Sequence, residues 1–528
     1  MPIRTFADIE ALPNDEKLTD AEQQLLDNCK DGVPTVLGDG ERPSRPSPER
    51  TIRADLLRYL ILGGCDRCRV HDRGVLLRGA WVLGPLDLDF TRAKGVTQFW
   101  SCSFGQAIGA RQAQFVELSL SNCHLRGLNA QGLGVAGSVL LDGLTSTGIM
   151  DINSAQIDGQ LSFEGAELDG SGGVALSAQR LVVKEGLVWR EVKSVKGFVD
   201  LTAAHLGDLV DDIGSWDKMA DMSLIGMTYD SLIGPLGLEM RKAWLKKGAK
   251  FDGSFYPQPY QQLARFFRET GHRREVREIL IEKEIQQRKA ARKRWSDERH
   301  FRRDLRRFVL NASEDTARKL ATSGAKAPEF SVTWLELSKQ RFGRTEATKS
   351  RDPMVAEFLQ QDFRNQLLWD NAKAVIRLFL NRSGDRIYRY VSGYGYKPGR
   401  SLLAMALLIA VMTVLAQVSW NMGDLAPNSD VIQISKGWQE LAKTERRPSE
   451  AWIELYGQDY ETFEPFFYAA DVVIPIIDIG QTEAWTPSTE RSWWGWSMFG
   501  VQKIFVILGW VVTAIAAASV TGMIRRDD

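Results

Sequence analysis

Few residues in this 528-residue chain stand at spacings that could do chemistry. Cys65-Asp66-Arg67-Cys68 with His71 three residues on offers two thiolates and an imidazole, the start of a zinc site, with Cys102, Cys123 or His124 as a fourth ligand. A redox dithiol would need its first cysteine at a helix N-terminus after a strand, where the helix dipole favours the thiolate. This pair follows a helix ending on Gly63 and Gly64. Cysteines serving a structural cap are the simplest reading. Gly132-Leu133-Gly134-Val135-Ala136-Gly137 fits GxGxxG, but a dinucleotide fingerprint needs a helix opening at the glycines to meet the pyrophosphate, and SVLLDGL reads as strand and turn. None of His71, His124, His205, His272 and His300 forms a base–nucleophile motif. The sequence therefore yields no catalytic residue and no cofactor.

Two further constellations concern ions and lipid. Between two long apolar runs, Pro465 to Gln481 is apolar-rich, broken by Pro475, and too short to span a bilayer, which suits a re-entrant or interfacial helix. Span, half-helix, glycine turn, span is the order found in two-span cation channels. Asp478 and the carbonyls near Ile479 and Gly480 would then line the constriction of an oligomer. The plainer reading is an outer amphipathic cap packed on the hairpin. GYGY at 393–396 is no potassium filter, because it precedes the first span and Pro398 begins that helix. Residues 288–307 hold ten Lys/Arg against three acids, and Arg292, Lys293, Arg294, Arg302 and Arg303 are placed to meet anionic lipid headgroups. A solvated helix face explains the same charge. With Lys+Arg and Asp+Glu both at 67, overall charge gives no argument for nucleic acid.

The elements that must position these residues begin with the apolar runs. Leu402 to Trp420 is nineteen residues without a charge and Ile504 to Ile524 twenty-one, each long enough for a hydrocarbon core of about 30 Å. Tyr388, Tyr390, Tyr394 and Tyr396 before the first run, and Trp493, Trp494 and Trp496 before the second, suit interfacial belts. Arg386, Arg389, Lys397 and Arg400 precede the first run and Arg525 and Arg526 follow the second, which predicts both termini in the cytoplasm. The connecting 421–498 carries five Lys/Arg against thirteen Asp/Glu and belongs outside, with Lys503 snorkelling outward. Ala514, Ala518 and Gly522, with Ala406 and Ala410 on the first run, offer small-residue faces whose simplest partner is the other span, or a second copy of the chain.

Upstream, 1–64 reads as a helical cap with a Thr19/Glu22 capping box. From 65 to 210, alternating apolar pairs recur every 11 to 13 residues in the later part, among them Val139/Leu141, Met150/Ile152 and Leu161/Phe163, which predicts a parallel β-solenoid. An antiparallel sandwich is the rival. Fifteen acids and thirteen bases across 65–208 exclude a DNA-mimicking acidic face. Residues 211–310 read as a helical domain with the basic helix, 311–352 as a linker, 353–400 as a juxtamembrane helix, 401–421 and 499–528 as transmembrane helices with a cytoplasmic tail, and 422–498 as the outer loop.

The solenoid repeats, YPQPYQQLARFFRETGH, GYGYKP at 393–398, IPIIDIGQ at 474–481 and the tryptophan-rich approach to TGMIRRDD together resemble bacterial membrane proteins with a pentapeptide-repeat-like β-helix. The resemblance covers most of 51–528. It implies an inner-membrane, multi-pass protein, and carries the labels membrane-associated oxidoreductase and ion-channel-like protein. The expected whole is a β-solenoid with an α-helical domain and two transmembrane helices. Its expected role is a non-enzymatic scaffold that binds a cytoplasmic protein partner or senses a signal, in contact with the bilayer and able to form homo-oligomers.

Overall fold

The computed structural model describes residues 3–13, 17–64, 69–251, 253–311, 376 and 382–526, with backbone alone at 294–295, 297–311 and 522–526. Contacts divide the chain into two compact units, Met1–Ala290 and Ala291–Asp528.

The first unit is a parallel β-solenoid of about seven turns. Leu118 pairs with Val139, Val139 with Leu161, Leu187 with Leu209 and Leu209 with Leu232, so successive coils are offset by 21 to 23 residues. A strict five-residue repeat on four sides would give 20. The spacing near 11 in the sequence is half of this period. Leu128 and Met150 pair with each other in a different sheet from the one holding Leu118 and Val139. One coil therefore carries four short strands, such as Leu118–Ser121, His124–Leu125, Leu128–Asn129 and Gly134–Val135. Leu161 and Leu187 stand further apart because Asp169 to Val174 bulges out of register.

Each coil turns its corners by lifting a residue into the left-handed region. Gln112, Gly132, Ser154, Arg180, Ala203 and Gly226 occupy one such corner in successive coils, with φ between 54° and 73°. Gly132 is thus a corner residue and Gly134 opens a strand paired with Gln114 and Gln156, so the GxGxxG match belongs to solenoid turns. Inside, large aromatic side chains stack from the later coils onto the helices that follow them. Phe163, Trp189, Trp216 and Trp244 form a continuous aromatic column with centroids 5.4 to 5.7 Å apart.

Open sheet ends invite further pairing, and both are covered. At the N-terminal end, helices Asp20–Asp31 and Ala54–Ile61 bury Leu25, Leu26, Leu56, Leu57, Leu60 and Ile61. Two strands from the same segment, Thr35–Val36 and Thr51–Arg53, join the solenoid sheets. Glu22 binds this cap together, accepting from the Thr19 amide at 3.1 Å and from the Arg53 amide, Nε and Nη2 at 2.8 to 3.0 Å. At the other end lie helices Leu238–Gly248 and Gln258–Glu269. There Arg241 forms a bidentate pair with Asp211 at 2.6 and 2.7 Å, both side chains fully buried, while Trp216 Nε1 donates to the same carboxylate at 2.6 Å. The basic helix runs from Arg273 to Asn311.

The second unit is built on two apolar helices, Gly399–Met422 and Trp493–Arg526. Ser401, Met405, Leu408, Met412, Leu415 and Ser419 turn inward on the first, and Met498, Gln502, Phe505, Gly509, Val512, Ala516 and Ser519 on the second. Both sets alternate steps of three and four, the spacing of a coiled-coil seam. The expected small-residue contact is corrected: Ala406, Ala410, Ala514 and Ala518 all face outward, because the seam runs along other flanks of the helices. Most hydroxyls inside the apolar helices find a backbone acceptor on their own helix, while Thr513 Oγ1 is buried without a partner. Thr413, Ser419, Ser519 and Thr521 each donate to the carbonyl four residues earlier, as an apolar surrounding demands.

Candidate functional site

The features with the most chemistry gather where Pro465–Val473 meets the two apolar helices. This nine-residue helix, begun by Pro465 in its first turn, buries Tyr468, Ala469, Val472 and Val473 in one core with Met412, Ala416 and Met498. Its end reaches the middle of the second apolar helix at Gly509, where a Cβ would stand 2.0 Å from the Val473 carbonyl oxygen. Gly509 lies sixteen residues, about 24 Å, from Trp493 at that helix's start. From Val473 the chain doubles back through Pro475. Gln481 then bonds the Glu464 amide at 3.1 Å and the Thr462 carbonyl at 2.8 Å, back at the start of the short helix.

Asp471 holds this return loop. Its Oδ1 accepts from the Ile479 amide at 3.0 Å and its Oδ2 from the Thr482 amide and hydroxyl at 2.7 and 2.9 Å. Asp478 is exposed at the turn and accepts from the Gly480 amide at 3.0 Å. Ile479 and Gly480 are half-buried, and Gly480 has φ 85°, a conformation glycine adopts without strain. The three residues named from sequence are therefore contiguous on one turn, and the residue that positions them is Asp471. Its signal was present: a lone carboxylate in an apolar half-helix, followed eleven residues on by a threonine.

At the other end of the first apolar helix, GYGY forms a tight turn in which Gly393, Tyr394 and Gly395 all have positive φ. Tyr394 is no interfacial residue. It is 2% exposed, and its hydroxyl donates to Asp385 at 2.9 Å. Asp385 also receives the Arg292 guanidinium, so of the five basic residues placed against lipid, Arg292 is engaged within the protein. Lys293 is exposed, and the side chains of Arg294, Arg302 and Arg303 lie outside the described residues. Lys503 Nζ sits 5.3 Å from the Phe499 ring, directed toward the start of its helix.

For a metal site, Cys65 and Cys68 lie outside the described residues. His71 Nδ1 accepts from the Arg73 amide at 3.1 Å, closing a turn. Cys102 and Cys123 point into the solenoid core, where their thiols donate to backbone carbonyls including Leu77 and Phe99. Burial pushes the Cys123 thiol well above its ordinary pKa and that of Cys29 up to about 12, which keeps both protonated. Desolvation, aided by Arg126 and Arg42, lowers the His124 pKa. Among the described residues no three metal-donor side chains come together.

No family model, curated protein or solved structure matches the chain.

The geometry is thus the guide to function. The solenoid surface is largely self-neutralised, with ion pairs between adjacent coils such as Arg111–Asp89, Lys184–Asp158, Arg190–Glu164 and Lys196–Asp169. What is chemically unusual lies in the second unit: a doubled-back segment wedged between apolar helices and held by a carboxylate.

Proposed function

We propose that the chain is an integral membrane protein in which a β-solenoid scaffold, binding a partner or sensing a signal, is tied to a transmembrane hairpin. The observation that carries the reading is exposure. Only 17% of the apolar window of each long helix is buried, and Leu402, Leu403, Leu407, Ile507 and Trp510 are between 57% and 72% exposed. A pair of soluble core helices would hide these side chains, whereas a bilayer is the solvent in which such a surface is stable. The basic flanks favour both termini on the cytoplasmic side and 421–498 outside, at the inner membrane of a bacterial cell. Lys293 and its neighbours on the basic helix would then face anionic headgroups, and the outward alanines leave room for a second copy. Alkaline carbonate extraction tests the anchor: retention in the pellet supports it, and release into the supernatant removes it.

A second reading, a cation-conducting or membrane-perturbing oligomer, is favoured by the loop that Asp471 folds back between the apolar helices. In it Asp478, Ile479 and Gly480 would surround the constriction. Planar-bilayer recording of the purified protein decides this reading, which fails if no oligomeric preparation conducts. An oxidoreductase, the label carried by the resemblance, would require a bound flavin, haem or nicotinamide, and an absorbance spectrum without their bands ends that reading.

A further inference from the structure

The outer-loop ends of the two apolar helices meet at a polar junction. Gly423 closes the first helix with φ 77°, and Asp424, 4% exposed, accepts from the Ser492 hydroxyl at 2.8 Å. Ser492 in turn caps the second helix, accepting from the Trp494 and Gly495 amides at 3.1 Å each. Arg491 turns the other way. Its Nη1 donates to the Gly423 carbonyl, its guanidinium carbon lies 5.2 Å from the Trp438 ring, and its Nη2 is buried without an acceptor. Beside it opens a cleft of about 780 Å³ whose lining includes Trp438, Glu445, Arg446, Glu490 and Phe499.

Capping the first helix accounts for Nη1 alone. A guanidinium is a planar fork matched to two oxygens of a carboxylate or phosphate, and a half-buried one with no ion pair and an unpartnered Nη2 is a costly feature to retain. Here no carboxylate among the described residues forms an ion pair with Arg491; burial lowers its pKa, opposed only by the nearby Asp424 carboxylate, which is bonded to Ser492. Arg446 at the cleft is exposed and likewise forms no ion pair among the described residues. The exposed Glu445 and Glu490 bring opposite charge to the same cleft.

We infer that this cleft binds a zwitterionic ligand, its oxyanion held by Arg491 over Trp438 with Arg446 as second cation, and its ammonium group facing Glu445 and Glu490. Two sources supply that chemistry, a free solute and a lipid headgroup. Met422 and Phe499, 53% and 40% exposed, lead from the cleft onto the apolar helices and give a lipid a path to it.

The test uses the full chain in maltoside micelles, which carry no charge. Isothermal titration with phosphoethanolamine is run beside native mass spectrometry with a short-chain phosphatidylethanolamine. Saturable binding of the first probe assigns a free solute, and retention of the second assigns a headgroup. Either supports the site if Arg491→Gln weakens it by about tenfold or more, the loss expected for a charge-assisted fork. Arg446→Gln, at an exposed position outside the junction, should weaken binding by about threefold with unchanged thermal unfolding, and this reads the site even if Arg491→Gln fails to fold. No binding of either probe up to about 10 mM, or wild-type affinity in both variants, overturns the inference.

Discussion

Replacing Gly509 with alanine separates two opposing effects whose sizes the structure fixes. In a helix interior, Gly→Ala is favourable by about 1 kcal/mol because alanine loses less backbone entropy. At Gly509 the new Cβ would lie 2.0 Å from the Val473 carbonyl oxygen and 2.9 Å from its carbon, both backbone atoms of the short helix. An ordinary carbon–oxygen contact is about 3.3 Å, so the short helix must retreat by roughly 1.3 Å. Its inner face has little room for that, since Tyr468, Ala469, Val472 and Val473 are buried to within a few per cent. Overpacking of this kind costs about 1–3 kcal/mol, and the gap opened elsewhere forfeits further dispersion. Net destabilisation is therefore expected despite the gain in propensity. Gly500 on the same helix is the control, since a Cβ there meets nothing within 4 Å and alanine should stabilise by about 0.5–1 kcal/mol. Thermal unfolding of both variants in the same detergent, followed by near-ultraviolet circular dichroism, should move them in opposite directions. If Gly509→Ala proves as stabilising as Gly500→Ala, the short helix does not pack where the geometry puts it.

Three other outcomes follow from the same contacts. Asp211→Ala leaves the fully buried Arg241 and Trp216 Nε1 without their acceptor and should cost about 3–5 kcal/mol in urea unfolding. Asp211→Leu with Arg241→Leu should recover most of that loss. The His124 pKa lies below its unfolded value through desolvation, so the unfolded chain takes up the proton first. Stability is then fully present above the unfolded pKa near 6.5 and declines as pH falls through the window down to the lowered folded value. His124→Gln should flatten the urea midpoint over that window, and an unchanged pH profile would contradict it. Asp471→Ala removes three hydrogen bonds from the return loop and should raise protease cutting between 474 and 482, whereas Asp478→Ala removes one and should leave it nearly unchanged.

The apolar helices were legible in the sequence because outward-facing and packed residues are alike apolar, so the whole run lacks charge. Which flank packs was not legible from the small-residue stripes, since the contact runs through Met412, Phe505 and Val512 and leaves Ala514 and Ala518 outside. The solenoid was legible as alternating pairs, but its true period was not. Strands such as Leu118–Ser121 and Leu128–Asn129 bury apolar residues on different sides of one coil and look alike in sequence. Corners are equally silent where Gln112, Ser154 or Arg180 takes the left-handed conformation that a reader expects of glycine. The turn at Asp478 to Gly480 was visible from Pro475 and Gly480. Asp471, Asp385 and Arg491 were not singled out, because their partners lie 11, 93 and 53 residues away in sequence, at Thr482, Arg292 and Trp438.

We propose that the two apolar helices cross a bilayer as a hairpin, with the acidic segment on the side opposite the solenoid. Single-cysteine labelling tests it most directly, in a chain with Cys65 and Cys68 changed to serine, since Cys29, Cys102 and Cys123 are buried. One reporter is Glu440→Cys in the connecting segment and the other Arg268→Cys beside the solenoid, both at exposed positions. A membrane-impermeant maleimide should label the first in intact cells and the second only after permeabilisation. Labelling of both reporters from the same side would contradict it.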